Sequence, residues 1–201
     1  EASPRRIFLV VWEGIRELWR HPNTRGIVGL LGILMGGAGA SIVLGTVLVQ
    51  RFLGTVTKDL GFLSLWLGIG MLIGTLAYGR WGTGLAKRLV LGLAFLGCGL
   101  VLGGFVAAVQ GLRSGVAASC LAGLLGFCLA PVGIVTNTLV HEAHPERLHG
   151  RIFSSLGVVV NSAFILSMLA AGWLGERASE SVLLAGMGGA FAAGGLTLLY
   201  Y

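Results

Sequence analysis

The sequence predicts an all-α polytopic membrane bundle: six transmembrane helices, preceded by an amphipathic helix that lies at the membrane surface. Three observations carry this. Hydrophobic residues make up 55% of the 201 residues and charged residues 11%, against about 25% charged in a soluble domain. A soluble fold could not cover its surface with so few charges. The apolar residues gather into six runs, each near the roughly 20 residues that a helix needs to cross a bilayer. Glycine reaches 35 residues, more than double its usual share of about 7%, without a collagen-like period or a proline-rich background. In apolar helices glycine lets two backbones approach closely.

Taken in order, residues 1–25 form a linker. At about 100° per residue, Ile7, Phe8, Val11, Trp12, Ile15, Leu18 and Trp19 fall on one face, and Arg5, Arg6, Glu13, Arg16, Glu17 and Arg20 on the other. His21-Pro22-Asn23 ends this helix. A signal peptide does not fit, because the uninterrupted apolar run Ile7 to Trp12 is too short and no small-residue cleavage site follows. Residues 26–201 form the transmembrane domain, with spans at Gly26–Gln50, Leu60–Gly79, Leu89–Val109, Val116–Val140, Ile152–Leu174 and Val182–Tyr201. None of the six contains Asp, Glu, Lys, Arg or His. The chain starts at Glu1 rather than Met and stops inside its last apolar run, so it reads as a fragment of a longer polypeptide.

Orientation follows from the basic residues. Arg5, Arg6, Arg16, Arg20, Arg25, Arg80, Lys87, Arg88, Arg147 and Arg151 must share one side; Arg51, Lys58, Arg113 and Arg177 share the other. Ten against four places the first group, and both ends of the segment, in the cytoplasm of a cell with a multi-pass inner-membrane protein. The formal charge of +6 is thereby a topology signal, and nucleic acid is not an expected partner.

Two connections carry a resemblance. Gly79-Arg80 followed by Lys87-Arg88 in a short glycine-rich loop, and Pro145-Glu146-Arg147-Leu148-His149-Gly150-Arg151-Ile152-Phe153 leading into a helix, resemble cytoplasmic signatures of the major facilitator superfamily. With the six-span pattern and the amphipathic linker, nearly the whole chain is similar to the C-terminal half of such a transporter, in the manner of bacterial drug and siderophore exporters. His149 replaces the first Arg of the second signature. The acidic residue expected in the first loop is absent, with Thr83 near its place.

The resemblance implies two inverted three-helix repeats, with spans one and four lining a cavity, two and five flanking it, and three and six facing lipid. It also implies alternating access and export of a small amphipathic or hydrophobic compound. The partners it implies are the lipid bilayer, the missing N-terminal six-helix half and a small-molecule substrate. Gly79, Arg80, Lys87, Arg88, Pro145, Arg147, Gly150 and Arg151 are then cytoplasmic gating or topology residues. Arg80, Lys87, Arg88 and Arg151 either signal topology alone or also cap helix C-termini or bridge helices in one access state. Two other classes stay open: a transporter-like module of a membrane enzyme, such as an acyltransferase fusion, and a non-transporting scaffold. No acid–base pair or nucleophile at membrane depth favours the enzyme.

The substrate-path candidates are drawn from the sparse polar residues inside the spans: Ser41, Thr46, Asn137, Asn161 and Ser162. Asn161 lies deep, about two and a half turns into the fifth span, and shares a polar edge with Ser154 and Ser162. An interhelical hydrogen bond is the plainer role for Asn161, and contact with substrate the sharper one. Gly32/Gly36, Gly70/Gly74 and Gly99/Gly103 are GxxxG pairs that suggest tight helix contacts. His141, Glu142, His144 and His149 do not have metal-ligand spacing, since His141 and His144 are three apart and Pro145 follows. Cys98, Cys120 and Cys128 read as small core residues. No metal and no cofactor is expected. With no Asp, Glu, Lys, Arg or His in any span, these helices cannot by themselves carry the site that couples transport to protons or ions.

Overall fold

The six apolar runs form six long helices. The computed structural model describes residues 22–53, 57–112, 114–143 and 149–200. In chain order these are α1 (Pro22–Leu53), α2 (Thr57–Ala77), α3 (Lys87–Ala107), α4 (Gly115–Ala143), α5 (His149–Gly175) and α6 (Glu180–Tyr200), with no strand among the described residues. A π-helical turn, Tyr78–Gly82, extends α2, and another, Ala108–Leu112, extends α3. Within these helices the stretches long and apolar enough to cross a membrane are Val28–Phe52, Leu60–Gly82, Lys87–Gly111, Gly115–Leu139, Phe153–Gly175 and Glu180–Tyr200. The chain is a multi-pass membrane protein. The amphipathic helix expected over residues 5–20 lies outside the described residues.

Two boundaries differ from the sequence reading. The first spanning helix opens at Pro22 rather than Gly26, with Pro22 in the first turn where its missing N–H costs no hydrogen bond. The linker helix that His21-Pro22-Asn23 is expected to end lies outside the described residues. The connection expected to begin at His141 is shorter, because His141, Glu142 and Ala143 complete α4 and His149 already opens α5.

The chain divides into two compact units, each considered by itself. One holds α1 up to Ala40, α4 from Thr136 onward, and α5 up to Gly172. Here Val28, Leu31 and Leu156 are buried together, with Phe153, Val159 and Val160 against them. Further along the same α1·α5 pair the backbones close up at Gly39, where a Cβ would stand 2.5 Å from the Phe164 carbonyl and 2.7 Å from Ser167 Oγ. Gly36 meets Ser167 at ordinary distance and Gly32 touches nothing. The working small-residue pair on α1 is therefore Gly36/Gly39, not the expected Gly32/Gly36.

The other unit holds Ser41–Val135 and the chain from Trp173 onward. In it α2 packs on α4 through Gly70, Gly74, Gly123 and Gly126. A Cβ on Gly70 would collide with the Gly123 carbonyl, and one on Gly126 with the Leu67 carbonyl. Side chains larger than hydrogen would force the two helices apart. Pro131 inside α4 has no N–H to give the carbonyl four residues back, and that carbonyl, Phe127's, is the one packed against Gly74.

In the same unit α3 packs along α6. Val90, Ala94, Phe95, Cys98, Leu102 and Val106 bury one face of α3, while Leu89, Leu93 and Leu100 stay exposed on the other. Gly99 meets Gly188, and Gly92 meets Gly195 and Leu199, so the contact runs along the helices; the Phe95 and Phe191 rings lie 5.6 Å apart between these two points. Of the three cysteines, Cys98 is buried and Cys128 half-buried, but Cys120 is exposed and corrects its expected place in the core.

Candidate substrate path and polar ends

The polar residues inside the spans separate by what their own helix does with them. Thr46 turns its hydroxyl back onto the Ile42 carbonyl at 2.6 Å, one turn earlier, so its proton is already committed. Ser41 is half-buried, and among the described residues its side chain makes no hydrogen bond. Both belong to the second unit.

Asn137, Asn161 and Ser162 belong to the first unit and are exposed. The run Thr136-Asn137-Thr138 faces two ways: Thr136 is buried, while Asn137 is exposed. On α5, Ser154, Asn161 and Ser162 are all exposed, as a shared polar edge requires, whereas neighbouring Ser155 is buried. Asn161 makes no side-chain hydrogen bond among the described residues. The interhelical hydrogen bond expected for it is not formed there. An exposed amide near the middle of an apolar helix faces water, a polar partner or a bound molecule, because hydrocarbon would leave its donors and acceptors unsatisfied.

The ends of the helices hold most of the charge. Arg51 in the last turn of α1 donates from Nη1 to both carboxylate oxygens of Glu180, at 3.1 and 3.4 Å. Each charge also suits its helix end, a cation at a C-terminus and an anion in a first turn. Beside it Gln110 Nε2 donates to Ser181 Oγ, which lies 3.1 Å from Ser179 Oγ. Arg177 stacks on Trp173 with its guanidinium carbon 3.9 Å from the ring centre. At the start of α3, Arg88 Nε donates to the Leu198 carbonyl near the end of α6, at 2.9 Å. Arg51 with Glu180, and Arg88 with Leu198, each join ends that six successive crossings put on one side.

Sequence reasoning missed Arg51–Glu180 and Gln110–Ser181, which join positions 129 and 71 residues apart. The available signal was weak: a lone polar side chain at the last turn of an otherwise apolar run.

Of the gating candidates, Gly79 and Arg80 are exposed in the π-helical turn after α2. Lys87 is half-buried and has a partner, and Arg88 is exposed. Gly150 and Arg151 fall in the first turn of α5, while Pro145 and Arg147 lie outside the described residues, as does His144. His141 stacks on Phe153 with ring centres 4.7 Å apart, so a ring contact occupies it.

No family model matches the chain, and no solved structure matches it. Among curated proteins it is similar to the multidrug efflux pump Tap of Mycolicibacterium fortuitum, 25% identical over 170 residues. That match covers 83% of this chain and 39% of the pump, so the chain spans about two fifths of the length of this relative.

Proposed function

We propose that this chain is one half of a secondary transporter working by alternating access, and that it exports a small amphipathic or hydrophobic compound. One observation carries the reading beyond general likeness to an efflux pump: Asn161, with Ser162 beside it, is exposed and without a hydrogen-bonding partner among the described residues, deep in an apolar helix. A largely apolar wall with a few amides and hydroxyls suits such a compound better than an ion or a sugar, which demand denser hydrogen bonding.

The glycine contacts support the inverted-repeat arrangement. Exchanging α1 with α4, α2 with α5 and α3 with α6 in chain order turns an α1·α5 contact into an α4·α2 contact and returns α3·α6 to itself. Those are the pairs in which a glycine meets the partner helix's backbone, α1 on α5, α2 on α4 and α3 on α6; α3 meets α4 through side chains, Gly97 against Cys128. The small residues correspond too. Gly36/Gly39 on α1 answers Gly123/Gly126 on α4, and Gly70/Gly74 on α2 answers Ala163/Ser167 on α5. In this reading both ends of the segment are cytoplasmic, and six further helices complete the path.

The test is transport of a panel of lipophilic cations and neutral amphiphiles by the intact protein in vesicles, with Asn161→Ala and Ser162→Ala alongside. A transporter of this kind lowers the accumulation of at least one compound, and the variants change that compound's KM. Equal accumulation in protein-containing and empty vesicles, across the panel and with an imposed proton gradient, rejects transport.

A further inference from the structure

We infer that the basic turn joining α2 to α3 binds the phosphate headgroups of anionic phospholipids, which supply a negative charge that the loop lacks. The inference rests on the chain crossing a membrane and is independent of what, if anything, it transports.

The turn has a deficit of negative charge. Tyr78–Arg88 carries Arg80, Lys87 and Arg88 and no Asp or Glu; Lys87 already has a partner, so Arg80 and Arg88 are the cations that matter. The one described interaction of Arg80 is with the Trp81 ring, 5.8 Å from its guanidinium carbon, and among the described residues no carboxylate pairs with it. A ring face leaves a guanidinium's five N–H donors in need of oxygen acceptors. Arg88 uses Nε on the Leu198 carbonyl and keeps both Nη groups. The opposite end of the bundle differs: Arg51 has Glu180, and Glu176 is next to Arg177 in the chain.

Position names the ligand. The candidate spans Leu60–Gly82 and Lys87–Gly111 end and begin on either side of Thr83–Ala86, so Arg80, Lys87 and Arg88 stand at headgroup depth. Trp81 is 72% exposed, an amphipathic ring suited to the same layer. The turn also has a definite shape, because the Tyr78 ring packs on Gly82, where a Cβ would overlap it. Phosphates held by lipid tails at this depth meet the exposed cation and the exposed indole together, which a free anion does not.

Native mass spectrometry of the intact protein, titrated with phosphatidylglycerol or phosphatidylcholine, tests this. Tighter binding of phosphatidylglycerol is expected, weakened about fivefold by Arg80→Gln, the worth of one cation near an anionic surface. Arg80→Lys should restore most of it, and Arg177→Gln should change nothing. Thr83→Asp should weaken binding as well, by supplying the missing charge within the chain. This variant leaves Arg80 and its contact with Trp81 intact, so it reads the charge deficit even where Arg80→Gln misfolds. Equal affinity for the two lipids overturns the inference, as does equal loss in Arg80→Gln and Arg177→Gln, or no effect of Thr83→Asp. Displacement of phosphatidylglycerol by an equal concentration of inorganic phosphate overturns the lipid assignment in favour of a soluble anion.

Discussion

At the scale of single residues, what matters is whether a polar group already has a partner. Asn161 has none among the described residues, so trimming it removes no hydrogen bond formed among them. Asn161→Ala is expected to leave thermal stability in detergent within about 0.5 kcal/mol of the parent, as for surface substitutions generally, while transport falls. A clear loss of stability with normal transport would restore the packing role. Arg51 and Glu180 make the opposite case. Arg51 keeps 65% of its side chain exposed and Glu180 only 12%, so the pair is asymmetric. Losing Glu180 returns Arg51 to solvent, at a cost near the 0–1 kcal/mol of exposed pairs. Losing Arg51 strands a nearly buried carboxylate. Arg51→Met should therefore lower the melting temperature more than Glu180→Gln, and the reverse order would show that the pair is not the main partner of Glu180.

At the scale of helices, the close approaches are made by backbone. Gly70 faces the Gly123 carbonyl, and neither side can yield by turning a side chain. Gly70→Ala should cost about 1–3 kcal/mol, the usual penalty of overpacking. Gly68→Ala on the same helix, with nothing within 4 Å, should be neutral or slightly stabilising through helix propensity. Thermal unfolding of the two variants side by side makes the comparison, and equal effects would contradict the α2·α4 contact. Spacing alone found Gly70/Gly74 and Gly99, yet chose Gly32 where Gly39 makes the contact. A GxxxG pattern marks a face on which two helices can close, while the crossing point depends on the partner helix.

At the scale of the whole molecule, the predictions concern sidedness and energy coupling. Labelling of single cysteines placed near Lys87 and His144 should be possible from one side only, and near Lys58 and Arg113 only from the other. Labelling of the Lys87 and Lys58 positions from the same side would contradict six crossings. Asp59, Glu142, Glu146, Glu176 and Glu180 all lie at or beyond span ends. A coupling acid must be shielded and exposed to the two sides in turn. Neutralising these five one at a time should thus leave the number of protons moved per substrate unchanged in vesicles, although rates fall. Uncoupling by any one of them would place that acid inside the path.

The amino-acid sequence already specifies the six helices, their membrane-spanning length and which helix ends share a side when each run crosses the membrane once. Each follows from hydrophobicity and charge summed over about 20 residues, a quantity that needs no neighbour. It also held the polar edge of Ser154, Asn161 and Ser162, because a helix repeats every 3.6 residues wherever it sits. It took the packed fold to show that Gly39 rather than Gly32 meets α5, that Arg51 reaches Glu180, and that Asn161 lacks the expected hydrogen bond among the described residues. Those outcomes depend on which surface of a second helix arrives at a given residue. Apolar helices of nearly uniform hydrophobicity carry little local record of that choice, which steric fit between distant small residues settles.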